Sequence, residues 1–224
     1  MKSKLKYAIV ADTETGGLPN EKNNQRAFYE IALTEIAFVC IDMVSLEIVD
    51  KNSWLIKPYK EGLIYSKIAQ EVSGITPQLL EEKGEDIKEA HKETRDFIKK
   101  YTKGKMGKPI MVGHNMYNFD RPFFENMYEF LGDNFSSYLY GYEDTQILSH
   151  IKYLENTNYK LGTICKGLGV ELTDAHRGLP DTIANAQMFI EMVKLLRSGK
   201  VESGGVNENR FREKFKLDKV RFNY

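Results

Sequence analysis

Two carboxylates, Asp12 and Glu14, close an apolar run, Tyr7-Ala8-Ile9-Val10-Ala11, that reads as a buried strand. Side chains alternate along a strand, so these two acids leave on one face, roughly 7 Å apart along the backbone. Acids facing one way at the mouth of a hydrophobic strand repel each other, and a hard divalent cation is the simplest means of keeping both ionised. Three more positions offer related chemistry: Asp120, His176 and Asp181. Each alone has a plain structural explanation. Asp120 precedes Arg121-Pro122 and suits a helix N-cap, while Asp181 suits a first helical turn, where the dipole favours acids. An isolated loop histidine is ordinarily a polar surface residue. As an ordered set they say more. A strand-end acid pair, a helix-start acid after Gly113-His114-Asn115, and a histidine five residues ahead of a second helix-start acid outline one acidic, metal-binding pocket.

The elements that must position these groups follow from pattern and punctuation. Leu5 to Asp12 is the first strand, and Thr15 to Arg26, with Gly16, Gly17, Pro19 and Asn20, is a loop. Residues 31–42 and 49–57 read as two strands joined by a short turn, an antiparallel meander. A short helix covers Lys67 to Ser73 and stops at Gly74. Between Glu85 and Tyr101, the residues Ile87, Ala90, Thr94, Phe97, Ile98 and Tyr101 share a helical face, acids first and lysines last. Pro109 to Gly113 is a fourth strand leading to a helix over Asp120 to Leu131, and Tyr138 to Tyr142 is a fifth strand leading to a helix begun by Asp144. Two more helices cover Tyr159 to Leu168 and Asp181 to Arg197. An early meander followed by alternating strands and helices indicates an α/β fold with a mixed, helix-flanked sheet.

Bulk properties bound the reading. The 224 residues suffice for one substantial domain, and 42% hydrophobic with 29% charged residues is ordinary globular composition. Basic and acidic residues balance at 32 each, which excludes a strongly cationic nucleic-acid coat but leaves room for a local basic groove or for metals that neutralise phosphates. Cys40 and Cys165 show neither disulfide-framework nor zinc-site spacing, which points to a reducing, cytoplasmic setting. The apolar run after Lys2, Lys4 and Lys6 is too short for a signal peptide. Residues 1–197 are taken as the domain, and 198–224, which turn basic and aromatic, as a tail that either docks a partner or nucleic acid or frays.

The three segments IVADTETGGLP, GHNMYNFDRPF and AHRGLPDTIANA resemble the three motifs of the DnaQ-like DEDDh exonuclease superfamily, which has a ribonuclease H-like fold. Ser73-Gly74-Ile75-Thr76 and Asp144-Thr145 match further family features, so the resemblance runs from about Leu5 to Leu196. Gly178 stands where alanine is frequent, and Pro180 directly precedes Asp181. The sister subclass carries a tyrosine at the position of Arg177, so the histidine subclass is indicated.

The resemblance implies two divalent ions, Mg²⁺ or Mn²⁺, held by Asp12, Glu14, Asp120 and Asp181. His176 would be the general base, its ordinary pKa suiting proton removal near neutrality. Thr13, Thr15 and Leu18 would grip the terminal nucleotide. Asn115 would lie near the phosphate, and Phe119 would either stack on a base or pack in the core. His114 is read as structural, and His91 and His150, which lie on helices, receive no role. The implied activity is 3′–5′ exonucleolytic hydrolysis of single-stranded DNA ends, releasing nucleoside 5′-monophosphates. Two alternatives stay open: an exoribonuclease of the ribonuclease T or oligoribonuclease type, and a subunit that docks on a DNA polymerase or other replication or repair protein. No membrane role is expected.

Overall fold

The computed structural model describes residues 5–19, 26–104, 107–153, 155–172 and 177–198. The expectations for His176 and for the tail after Ser198 therefore lie outside the described residues. Strand β1 (Tyr7–Thr15) is the middle of a five-stranded sheet. Antiparallel to it runs β2 (Leu33–Asp42), followed by β3 (Glu47–Leu55). On its other side β4 (Ile110–Gly113) is parallel, and β5 (Gly141–Asp144) parallel to that, giving the order β3-β2-β1-β4-β5. The expected mixed sheet is the observed one.

Alternation along β1 assigns its residues to two helical layers. Ile9 and Ala11 face a core with Phe38, Trp54, Phe97, Phe123 and Phe124, built by helices α4 (Ile87–Lys100) and α5 (Asp120–Phe130). Ala8 and Val10 face the other core, with Val39, Ile41, Ala186, Phe189 and Val193, closed by helix α8 (Gly178–Ser198). Covered on both sides, β2 is buried along nearly its whole length, so its sequence lacks a clean alternation. Three smaller helices complete the α8 side and the β1 mouth: α2 (Lys67–Ser73), α6 (Thr145–Lys152) and α7 (Leu161–Leu168).

Local capping explains most helix ends. Ser66, Thr76, Asp86 and Asp144 each accept a backbone N–H of the first helical turn, and Gly74 ends α2 in the left-handed region at φ 70°. The Ser73–Thr76 segment is thus the turn between α2 and α3 (Pro77–Lys83), the latter a helix that the sequence pattern did not suggest. Nor did it suggest α1 (Ala27–Glu30), which follows directly on the expected loop. The fifth strand starts at Gly141, because Phe135–Tyr138 forms a 3-10 turn that buries Phe135. The last helix starts one turn before Asp181, since Pro180 has no N–H to lose in a first turn. Among the described residues no helix is long and apolar enough to cross a membrane.

The exit from β1 is held chiefly by backbone hydrogen bonds. Gly16 donates to Ala32 O at 2.7 Å and accepts from Ser66 N–H at 2.6 Å. A Cβ at Gly16 would lie 2.1 Å from the Ile64 carbonyl oxygen, a backbone atom that cannot swing aside. Gly16→Ala is therefore expected to cost on the order of 2 kcal/mol, lowering Tm by roughly 4–8 °C in a chain of this size. A thermal melt matching the unsubstituted protein would show that this close approach is not required.

Candidate active site

The parity that sorts the β1 core also builds the site. Asp12 and Glu14 continue the Ala8–Val10 face, toward α8, whose first turn carries Asp181. Ligand oxygens of Asp12, Glu14 and Asp181 all lie within 4.8 Å of one another. Residues 169 positions apart in sequence thus meet because α8 packs its start over the end of β1. The donor set is oxygen only, which suits a hard divalent cation. Among the described residues no lysine or arginine forms an ion pair with Asp12, Glu14 or Asp120.

Asp120 arrives from the opposite layer. It is the first residue of α5, 1% exposed, and Phe119 rather than Asp120 is the N-cap. One of its oxygens accepts from Thr13 N–H at 2.9 Å and from Thr13 Oγ1–H at 2.7 Å. Thr13 lies on the α5-facing side of β1, so Asp120 touches the strand from behind while the other three acids gather in front. The structure therefore brings Asp12, Glu14 and Asp181 into one cluster and sets Asp120 beside it, locked through Thr13.

Burial and mutual repulsion show in the titration of these groups. Desolvation, then the charges of Asp120, Glu14, Asp181 and Glu35, holds the Asp12 carboxyl well above its ordinary range. Desolvation followed by Asp181, Glu35 and Asp120 pushes Glu14 up to about 7, while Arg177 pulls the other way. Burial raises Asp120 as well, against the lowering effect of the Thr13 donors. Glu35 is the acid that pattern reading passed over. It stands alone in an apolar stretch, and only the β1–β2 register, Glu14 opposite Glu35, brings it to the site.

The remaining candidates frame this cluster. Thr15 Oγ1 donates to Gly17 O at 2.7 Å, and Leu18 beyond it is 84% exposed, an apolar side chain held in solvent at the β1 mouth. Asn115 sits in the left-handed region at φ 66°, its N–H donating to Asp144 Oδ1 at 3.0 Å and its side-chain oxygen accepting from Asn118 at 3.0 Å. Phe119 is partly buried, its ring 5.6 Å from that of Phe123. His114 is fixed at both ring nitrogens, by Tyr159 O at 2.7 Å and Thr145 Oγ1 at 3.0 Å. Thr145 Oγ1 also lies 2.8 Å from Asn185 Oδ1 and 3.1 Å from Gly113 O, its one hydrogen serving one acceptor at a time, so one buried network joins β4, α6 and α8. His91 gains an acid that sequence distance concealed, Asp133 at 3.0 Å, on the far side of the α4–α5 layer.

These shifts fix a pH dependence. The folded pKa of Glu14 lies above its ordinary 4.5, so the folded state binds the extra proton between the two values. Its favourable contribution is complete below about 4.5 and is lost as pH rises through about 7. In EDTA the protein is therefore expected to melt at a lower temperature at pH 8 than at pH 6. Excess Mg²⁺ should raise Tm more at pH 8, where the carboxylates are free to bind it. Equal Mg²⁺ stabilisation at both pH values would refute this coupling.

The comparisons with known proteins agree with the geometry. A family model described as Exonuclease matches residues 9–189. The PolC-type DNA polymerase III of Staphylococcus aureus (strain bovine RF122 / ET3-1) is 32% identical over 206 residues, covering 92% of this chain; the chain spans only 12% of that relative. Escherichia coli exonuclease I, solved with a dT13 oligonucleotide, superposes with a TM-score of 0.68 at 17% identity, over 95% of this chain and 44% of that one. The nuclease domain of 3′hExo, a DEDDh family member solved with rAMP, gives 0.68 at 18% identity over 89% of this chain and 96% of that one. With the family match spanning most of the chain, this protein belongs to the exonuclease family.

Proposed function

We propose that this chain is a metal-dependent 3′–5′ exonuclease domain acting on single-stranded ends, preferentially DNA, and releasing nucleoside 5′-monophosphates. The observation that carries the reading is the convergence of Asp12, Glu14 and Asp181 oxygens within 4.8 Å, in a chain matched by the exonuclease family over residues 9–189. Asp12, Glu14 and Asp181 are the residues that would hold the divalent ions, Mg²⁺ or Mn²⁺, with Asp120 adjoining. When bound, such ions neutralise phosphate charge and acidify the attacking water. Around them the chain's own groups divide the work. His176 takes the proton of the attacking water, a role suited to a base titrating near neutrality. Leu18, held in solvent beside the cluster, meets the last base, and Thr13, Thr15 and Asn115 position the terminal sugar and phosphate around it.

Support for DNA is the 32% identity to a segment of a DNA polymerase, well above the identity to structures solved with either DNA or rAMP. Residues 1–197 form the catalytic domain in this reading, in a cytoplasmic setting consistent with the two buried free cysteines. Residues 198–224 are the segment that would dock a polymerase or another replication or repair protein.

Matched end-labelled DNA and RNA oligonucleotides, free or blocked at the 3′ end, test the substrate. DNA with a free 3′ end should be shortened stepwise in Mg²⁺, faster than RNA, and blocked ends should survive. Faster loss of RNA would move the assignment to the exoribonuclease reading. Asp12→Asn should reduce the rate roughly 10³-fold or more, the loss expected for several kcal/mol of transition-state charge stabilisation. Undiminished cleavage by that variant would remove Asp12 from the chemistry.

A further inference from the structure

Glu35 lies in β2 directly opposite Glu14, so both side chains leave the sheet on the face that α8 covers. It is 3% exposed, and among the described residues no lysine or arginine forms an ion pair with it. A buried carboxylate beside three others is electrostatically unfavourable. The contact it makes in return is specific: Oε2 accepts the Gly178 N–H at 3.2 Å.

Gly178 is the first residue of α8, and its N–H is one of those a helix start leaves without an intrahelical partner. Three residues on is Asp181, whose N–H closes the first turn on Arg177 O at 3.1 Å. Two residues before it in the chain is His176. The approach leaves little room, for a Cβ at Gly178 would lie 3.0 Å from the Glu35 carboxyl carbon and 3.1 Å from Oε2. β1 and β2 supply the platform; α8, a long helix resting on apolar side chains, supplies Asp181. Packing of apolar side chains is non-directional and leaves the axial position of the helix start loosely defined. A hydrogen bond from the sheet to the first N–H of α8 defines it.

We propose that Glu35 is a positioning residue for the cation site: its carboxylate pins the first N–H of α8 to the sheet, setting Asp181 against Asp12 and Glu14. This rests on the reading of those three acids as the cation ligands. Glu35 stands outside the group of three converging acids and acts through Asp181.

Three substitutions separate the anchor from the charge and from bulk stability. Glu35→Gln keeps an oxygen acceptor at the same reach and removes the charge. Glu35→Asp keeps the charge and draws the acceptor back by one methylene, and Glu35→Ala removes both. Mn²⁺ titration calorimetry of each variant, with circular dichroism to establish folding, reads the site without requiring turnover. Glu35→Gln should stay within about threefold of the unsubstituted protein, while Glu35→Asp and Glu35→Ala should lose roughly 10–100-fold in Mn²⁺ affinity, the range found for groups that orient ligands. In oligonucleotide degradation at fixed Mn²⁺, the same two should lose kcat with KM for the oligonucleotide nearly unchanged. Unaltered Mn²⁺ affinity in Glu35→Asp and Glu35→Ala would overturn the anchor, even with a lowered Tm, and so would a Glu35→Gln as impaired as Glu35→Ala. Should Glu35→Ala not fold, Glu35→Asp against Glu35→Gln decides. If every variant binds Mn²⁺ in the predicted order yet the unsubstituted protein shortens no oligonucleotide, the anchor stands and the exonuclease reading falls.

Discussion

Holding the oxygens of Asp12, Glu14 and Asp181 within 4.8 Å of one another, where burial weakens solvent screening, is the electrostatic constraint on which the arrangement depends. Burial first, and the neighbouring acids' charges after it, drive Asp12 and Glu14 toward the protonated form, and burial does the same for Asp120. The fold offsets that repulsion with rigidity. β1 is clamped between β2 and β4 and buried on both faces through Ala11, so the two acids at its end cannot splay apart without disturbing the sheet. A divalent cation placed among these oxygens would relieve repulsion that folding has already imposed.

The two faces of β1 contribute unequally. The face toward α8 collects Asp12, Glu14 and Asp181 and, through the neighbouring strand, Glu35. The face toward α5 carries Thr13, whose backbone and side-chain donors both engage Asp120. Asp120 is thus tied to the strand that bears the principal acids, and a shift of α5 would be felt directly in β1. Beneath this, the His114–Thr145–Asn185 network couples the end of β4 to α6 and α8. Each layer of helices therefore reaches the site through at least one buried polar contact. Apolar packing holds the layers together; those directional bonds set where they stop.

Much of this was legible beforehand because the relevant signals are local. Strand β1 announced itself by a continuous apolar run, α4 by a 3.6-residue periodicity with acids first and lysines last, and α2 by Gly74 at its end. Small elements escaped for the opposite reason. The α1 helix has four residues and no capping side chain, and α3 is two turns behind a Thr-Pro start that equally suits a turn. Tyr138 looked like a strand residue by propensity, but the demand to bury Phe135 curls that segment into a 3-10 turn before β5 begins. The acid that meets His91 is Asp133, 42 residues away, beyond the reach of a local reading.

The sequence by itself determined which residue types could do chemistry, their order, and the parity that puts Asp12 and Glu14 on one side of a strand. Those properties are written in covalent geometry, where alternation along an extended chain needs no partner. Only the tertiary structure decided that Asp181 joins that pair while Asp120 reaches β1 from behind, and that Glu35 belongs to the neighbourhood at all. Such facts depend on register between strands and on how a helix settles over a sheet. Both are settled by contacts between distant residues, apolar packing and a few directional bonds together, which no short stretch of sequence encodes.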